Sequence, residues 1–209
     1  MSEQFVRFEE MPSSFAFDAE SDAEIARVLA KYPPNKQASA VLPLLYIAQG
    51  QMLRQTGSAW VPVAAMDEVA KRLAMPAIRV YEVVTFYTMF QTSPIGKWHL
   101  QVCTTTPCWL RGSDEVVAAC RKVTGIHGWN ETSADGLFTL SEVECLGACV
   151  NAPIVQVNDD FYEDLDGAST ERLLEALKRG EKPPYGSVIG RQGSAPEGGP
   201  NTLLEVGAK

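Results

Sequence analysis

Several features that define large classes of protein are missing from this 209-residue sequence. It has 18 Lys and Arg residues against 26 Asp and Glu residues, a formal net charge of −8, so it lacks the positive surplus that nucleic-acid binding requires. No apolar run approaches the ~18–20 uncharged residues of a membrane-spanning helix. The first ten residues resemble neither a secretory signal nor an Arg-rich transit peptide. We therefore expect a soluble protein of a reducing compartment, with no nucleic-acid partner and no direct membrane insertion.

Motifs for binding nucleotides and for hydrolytic catalysis are also absent. The sequence contains no G-x-G-x-x-G, no P-loop and no H-E-x-x-H, and it has 2 histidines. We therefore expect no site for NADH or flavin and no catalytic residues in this chain. Both histidines, His99 and His127, are expected at the surface.

Cysteine is the residue type that carries the main clue. There are 5 cysteines, and an odd number in a chain without an export signal argues against a disulfide framework. All of them fall within one third of the chain, at positions Cys103, Cys108, Cys120, Cys145 and Cys149. Cys120 lies in an apolar helical stretch and is expected to be a small buried hydrophobic residue.

Hydrophobic periodicity divides the chain near Gly96. Residues 1–17 show no period and are expected to form an N-terminal arm, and residues 18–93 to form a helical bundle. The first predicted helix begins at a capping box formed by Ser21 and Glu24. The other three predicted helices cover residues 36–54, 63–73 and 77–90. The last of these has strand-like composition, but a fourth helix would fill the groove that the first three leave.

The second half, residues 94–182, has the pattern of a small mixed sheet with helices against it, so the fold class is α+β. The predicted elements are a strand over 98–103, a helix over 113–123, a strand over 137–143, a hairpin turning at 158–160 and a helix over 169–179. Residues 183–209 are rich in Pro and Gly, and they are expected to be either disordered or an arm laid over a partner.

The spacing of the cysteines favours one cofactor among three candidates. Four residues separate Cys103 from Cys108 and three separate Cys145 from Cys149, and each pair follows a predicted strand. Structural zinc sites and dithiol redox motifs most often have two intervening residues. A 2Fe-2S cluster takes two thiolates at each iron, which matches two loops that each offer two sulfurs. Zinc and thiol–disulfide exchange remain the alternatives.

The neighbours of these cysteines also suit a cluster. Backbone amides of Thr104, Thr105 and Thr106 can point towards sulfur, and Pro107 restrains the first loop. Gly147 is expected to let the second loop approach closely. Trp109 is expected either to shield the cluster from water or to fill the loop.

These residues resemble a known family, the small 2Fe-2S subunit of the NADH-dehydrogenase module of respiratory complex I. The resemblance covers roughly residues 18–185. The matching motifs are Cys103-x4-Cys108, Glu144-Cys145-Leu146-Gly147-Ala148-Cys149, Asn151-Ala152-Pro153, Val157-Asn158-Asp159 and the helical stretch from Val80 to Tyr87.

The resemblance implies a thioredoxin-like ferredoxin fold for the second half and one 2Fe-2S cluster. Cys103 and Cys108 would hold one iron, and Cys145 and Cys149 the other. The chain would be an electron-transfer subunit of NADH:quinone oxidoreductase without a substrate site of its own. FMN and NADH would be bound by a flavoprotein partner, docked by the helical bundle and the tail.

Such a subunit would be peripheral, on the cytoplasmic side of the inner membrane or on the matrix side in mitochondria. Equivalent diaphorase subunits occur in NAD-linked hydrogenases and formate dehydrogenases, and these remain alternatives. The alternative from a different functional class is a zinc-stapled binding module, in which the cysteines bind a structural zinc ion that stabilises the sheet.

Overall fold

The computed structural model describes residues 11–196, 198–199 and 201–202. Contacts within the chain divide it into two units, with the division between Gly96 and Lys97, a few residues after the boundary expected from the sequence. Of the expected N-terminal arm, residues 1–10 lie outside the described residues. Phe17, near the end of that arm, packs into the core of the first unit.

The first unit is helical, as the sequence predicts. Its helices are α1 (Ala19–Leu29), α2 (Val41–Thr56), α3 (Val63–Arg72) and α4 (Ala77–Phe86). Each contributes apolar side chains to one buried core, among them Ile25, Leu44, Leu45, Val69, Val80 and Val84. In the described part of the chain, no helix is long and apolar enough to cross a membrane.

The start of α1 differs from the prediction, because the capping box of Ser21 and Glu24 does not form. Asp18 is the N-cap instead, and its side chain accepts a hydrogen bond from the Ser21 backbone N–H at 2.8 Å. Residues of α2 secure this earlier start: Gln51 accepts from the Asp18 backbone N–H at 2.9 Å, and Arg54 pairs with the Asp18 carboxylate at 3.1 Å. These tertiary contacts select between two local cap sequences.

Two other helix ends also shift. The predicted helix over 36–54 is a 3-10 turn, Gln37–Ala40, followed by α2. The C-cap of α2 is Gly57, which has φ of 78°. The predicted helix over 77–90 ends at Phe86, where Tyr87 becomes extended. The bulky side chain of Phe90 is then buried in the bundle core from a turn, so its apolar character reflects packing and not helical continuation.

The second unit is built on a mixed sheet. Within the described residues it has six strands in the order β2-β3-β1-β4-β5-β6. The strands are β1 (Trp98–Cys103), β2 (Glu131–Thr132), β3 (Phe138–Val143), β4 (Val155–Val157), β5 (Asp160–Glu163) and β6 (Gly186–Ser187). β1 runs parallel to β3 and antiparallel to β4. The predicted strands and hairpin are therefore confirmed, whereas β2 and β6 were too short to predict.

Helices cover one face of this sheet. They are α6 (Ser113–Thr124) and α7 (Gly167–Lys178), and a shorter helix, α5 (Thr106–Leu110), precedes α6 in the chain. The apolar face of β1 and β3 packs against α6 and α7 in a single core, whose members include Leu100, Val102, Phe138, Leu140, Val116, Leu174 and Leu177. Cys120 belongs to this core with no exposed surface, which confirms its predicted structural role.

The opposite face of β1 carries His99, and here the sequence prediction is wrong. The His99 side chain is 5% exposed, and its Nε2 lies 2.8 Å from Oγ of Ser141. Burial lowers the pKa of His99 to about 4. Alternation along β1 identified the polar face correctly but cannot show whether that face is covered. His127 is exposed as expected.

The Pro/Gly-rich C-terminal segment begins differently from the expectation of disorder or of an arm on a partner. Gly186 and Ser187 form β6, which pairs in parallel with β5. Arg191 then forms an ion pair with Asp164 in which both side chains are more than nine-tenths buried. Polar contacts hold this part of the segment on its own unit. Its small apolar content therefore did not predict that it is ordered against the sheet.

Candidate cluster site

Two parallel strands deliver the cysteines to one edge of the sheet. Cys103 is the last residue of β1 and pairs in register with Val143, the last residue of β3. Cys145 follows Val143 after a single intervening residue. Because the carboxyl ends of neighbouring parallel strands lie side by side, the loops that begin at Cys103 and Cys145 must face each other.

The first cysteine loop contains a short helix that the sequence did not predict. Thr105 is the N-cap of α5, Pro107 lies in its first turn and Cys108 lies within it. Five residues are too few to show a helical period. The Thr104 hydroxyl donates to Oε1 of Glu142 at 2.6 Å, which ties this loop to β3.

The second cysteine loop turns at Gly147 and ends in a 3-10 turn, Cys149–Asn151. Gly147 has φ of 83°, and a Cβ placed there would meet nothing within 4 Å. The described residues thus leave room for a side chain at this position, and a close approach of this loop to a cluster stays a prediction. Glycine is favoured here because the backbone is left-handed, a conformation that other residues adopt at a cost.

The structure brings the four predicted cysteines together as two pairs. Sγ of Cys145 lies 3.2 Å from Sγ of Cys149, and Cys103 and Cys108 are buried together in one small apolar cluster. The Thr105 side chain lies between the pairs. Its hydroxyl oxygen is 3.1 Å from Sγ of Cys103, and the same side chain helps to lower the pKa of Cys145.

The inner pair is buried, and its two sulfurs differ electrostatically. Burial works to raise the pKa of Cys103, but hydrogen bonds from Thr105, Cys108 and the Leu146 backbone bring that pKa below its ordinary value. Burial and the neighbouring Cys103 raise the pKa of Cys108 to about 12. Of the two thiols, Cys103 therefore ionises more readily than Cys108.

The outer pair follows the same pattern closer to solvent. The hydrogen bond from Cys149, assisted by the Gly147 backbone, lowers the pKa of Cys145, and the same interaction raises the pKa of Cys149. Cys145 is exposed and Cys149 is half-buried. Cofactor binding here would displace thiol protons, because metals bind the thiolate form of cysteine.

Apolar side chains surround the inner pair and extend to the surface beside it. Ala152 and Ile154 are buried against Cys103 and Cys108. Three other apolar side chains near the loops are exposed: Trp109 (58%), Leu110 (70%) and Val150 (63%). Trp109 therefore does not fill the loop.

These donors fit a 2Fe-2S cluster. Such a cluster takes two thiolates at each of two irons, and the sulfurs form two facing pairs with a hydroxyl donor between them. Among the residues that the structure describes, no group of three or more His, Cys, Asp and Glu side chains is placed to hold a single metal ion.

Sequence reasoning missed two kinds of residue at this site. It assigned the backbone amides of residues 104–106 to the sulfurs, whereas the Thr105 hydroxyl is also directed at them. The position of Thr105 between two ligand candidates was the available signal. It also missed Asn151 and Arg191, which adjoin the second loop, and nothing in the local pattern around Arg191 marks it.

Comparison with known proteins places this geometry in a family. Residues 25–178 match the family described as thioredoxin-like 2Fe-2S ferredoxin. The chain is 55% identical over 162 residues to a Rickettsia typhi protein named as a subunit of NADH-quinone oxidoreductase, an alignment covering 78% of this chain and 92% of that protein. It is 47% identical over 191 residues to Dictyostelium discoideum NADH dehydrogenase (ubiquinone) flavoprotein 2, mitochondrial, covering 91% and 75%.

A solved structure shares the fold. The chain superposes on an NAD+-reducing NiFe hydrogenase with a TM-score of 0.57 at 17% identity, covering 71% of this chain and 24% of that one. At this level of identity the match concerns the fold alone.

Proposed function

The chain belongs to the thioredoxin-like 2Fe-2S ferredoxin family, and we propose that it is the electron-transfer subunit of an NADH:quinone oxidoreductase. The observation that carries the proposal is the pairing of four cysteines at the ends of two parallel strands. The 92% coverage of the Rickettsia typhi protein supports this assembly over a hydrogenase diaphorase, where the similarity spans about a quarter of a longer chain.

In this proposal each cysteine pair holds one iron. Cys103 and Cys108 are the ligands on the buried side, and Cys145 and Cys149 are the ligands on the exposed side. The bound cluster supplies one-electron chemistry, accepting and returning a single electron. The chain contributes the thiolates, the Thr105 hydrogen bond and the apolar wall formed by Ala152 and Ile154, all of which act on the stability of the charge on sulfur.

The electron donor is proposed to be the FMN of a flavoprotein partner, which also binds NADH. Support comes from the exposure of Cys145 and of the neighbouring apolar side chains Trp109, Leu110 and Val150. An apolar rim beside a cofactor is typical of a protein interface. The subunit would then be peripheral to the membrane, on the cytoplasmic or matrix side.

Metal analysis and spectroscopy of the full chain, purified without oxygen, test this function. We expect two irons and two acid-labile sulfides per chain, a reddish-brown colour, and a paramagnetic signal from one unpaired electron after dithionite reduction. A colourless protein with stoichiometric zinc would contradict the proposal and favour the zinc-stapled module.

Matched cysteine variants test the ligands. Cys108→Ser should lose the visible spectrum, whereas Cys120→Ser should keep it, because Cys120 lies in the α6–α7 core. Both cysteines are buried, so a general effect of removing a buried thiol would appear in both variants. Loss of the cluster in Cys120→Ser would refute the ligand assignment. Co-purification with a flavin-containing chain, followed by a count of flavin and iron, tests the partner.

A further inference from the structure

The C-terminal segment returns to the second cysteine loop. After β6 the chain turns back towards the 3-10 turn Cys149–Asn151, and Arg191 makes the contact. One guanidinium nitrogen, Nη2, donates to the Val150 carbonyl at 2.6 Å and to Oδ1 of Asn151 at 2.5 Å. These acceptors belong to the two residues that directly follow Cys149.

Arg191 is itself held firmly in place. Its Nε and Nη2 donate to the two carboxylate oxygens of Asp164 at 3.1 Å and 3.0 Å, and the side chains of both residues are more than nine-tenths buried. Ser187 donates to the same carboxylate at 2.6 Å, and Nη1 of Arg191 donates to the Ala195 carbonyl at 3.1 Å. The guanidinium therefore links three segments of chain at once.

Asn151 completes the network from the side of the cysteine loop. Its Nδ2 donates to Oε2 of Glu163 at 2.6 Å and to the Gly193 carbonyl at 2.8 Å. Its backbone carbonyl accepts from the Asp164 N–H at 2.7 Å. The Asn151 amide thus has partners on both its oxygen and its nitrogen, and two of these partners, Arg191 and Gly193, lie in the C-terminal segment.

We propose that Arg191 is a positioning residue for the cluster: it clamps the turn after Cys149 onto the sheet and so retains the outer pair of ligands. The proposal rests on the proposed function, because it concerns retention of the 2Fe-2S cluster. Cys149 is half-buried and is the first residue of a single 3-10 turn, so its position depends on what holds Val150 and Asn151. The planar guanidinium spreads five N–H donors over three nitrogens in a rigid fork and so reaches acceptors on separate segments, whereas the ammonium group of lysine is a single compact charge.

The test compares four full-length chains, each loaded with the cluster: the wild type, Arg191→Met, Arg191→Lys and the control Arg179→Met. Arg179 also makes a two-nitrogen contact with a carboxylate, that of Glu181, but this pair is exposed and lies at the C-terminal end of α7. The first readout is the rate at which an iron chelator bleaches the visible spectrum. The second is amide hydrogen exchange at Asn151 and Ala152 in the cluster-free chains.

Arg191→Met should lose the cluster about tenfold faster than the wild type or more, since a lost charge-assisted hydrogen bond typically corresponds to a factor of this size. Exchange at Asn151 and Ala152 should accelerate in the same variant. Arg179→Met should match the wild type in both readouts. Arg191→Lys keeps a positive charge beside Asp164, so it should remain folded by circular dichroism yet still lose the cluster quickly.

The outcomes separate the two proposals. If wild type and Arg191→Met bleach at the same rate, or if Arg191→Lys restores wild-type retention, the clamp is refuted while the cluster stands. If the wild-type chain binds no iron, the proposed function fails, and the clamp fails with it. If Arg191→Met does not fold, the bleaching rates of Arg191→Lys and Arg179→Met are compared. Faster bleaching of Arg191→Lys supports the clamp, and equal rates refute it.

Discussion

The hydroxyl oxygen of Thr105 lies 3.1 Å from Sγ of Cys103, and the same side chain helps to lower the pKa of Cys145. One side chain therefore acts on a sulfur of each cysteine pair. As the N-cap of α5, Thr105 makes no side-chain bond to the helix backbone, so its hydroxyl is available to sulfur. Hydrogen bonds to the sulfurs of a cluster stabilise its more negative, reduced form.

Thr105→Val should therefore make the cluster harder to reduce. Valine keeps the shape and removes the donor, so we expect the midpoint potential to fall by on the order of 50 mV, close to a tenfold change for one electron. Redox titration followed by electron paramagnetic resonance measures this shift. Thr104→Val is the matched control, because the Thr104 hydroxyl bonds Glu142 and not sulfur. Equal shifts in both variants would show that the Thr105 contact has no specific effect.

Acid should destabilise the chain through His99. Burial lowers its pKa to about 4, against about 6.5 in an unfolded chain. The unfolded state therefore binds a proton at a higher pH than the folded state does. As pH falls from about 6.5 to 4, we expect His99 to cost up to about 3 kcal/mol of folding free energy.

Urea unfolding at pH 7, 5.5 and 4.5 measures this dependence. The stability of His99→Gln should fall less steeply with pH than that of the wild type, although it starts lower at pH 7 if the contact with Ser141 is weakened. His127→Gln is the control, because His127 is exposed and should leave the slope unchanged. Parallel slopes for His99→Gln and the wild type would contradict the assignment.

Gly147→Ala should weaken cluster retention through backbone strain. Gly147 has φ of 83° and no atom within 4 Å of the position that a side-chain Cβ would occupy. Alanine therefore adds no clash with the rest of the chain, but the left-handed conformation costs it about 1–2 kcal/mol. Because this turn separates Cys145 from Cys149, we expect faster bleaching by a chelator.

Gly136→Ala controls for the loss of stability alone. Gly136 has φ of 70° and equally open surroundings, but it lies in the turn before β3, at the opposite end of that strand from the cysteines. Its urea midpoint should fall by a similar amount while the bleaching rate stays close to wild type. Equal bleaching in both variants would mean that Gly147 acts only through global stability.

Most helices and strands were predictable because their signals are local. The alternation from Trp98 to Val102 predicts β1, and the apolar spacing after Val63 predicts α3. Elements of two or three residues, such as β6, are too short to show a period. The start of α1 was missed for another reason, since contacts from Gln51 and Arg54 on another helix select Asp18 as the cap.

The sequence by itself determined the order of the elements, the two cysteine pairs and their positions after strand ends, because periodicity and spacing are properties of neighbouring residues. Only the tertiary structure decided that His99 is buried, that the Thr105 hydroxyl is directed at sulfur, and that Arg191 reaches Val150 across 41 positions of sequence. These contacts join segments that are distant along the chain. Their energies depend on burial and on hydrogen-bond geometry, which arise only when the chain has folded.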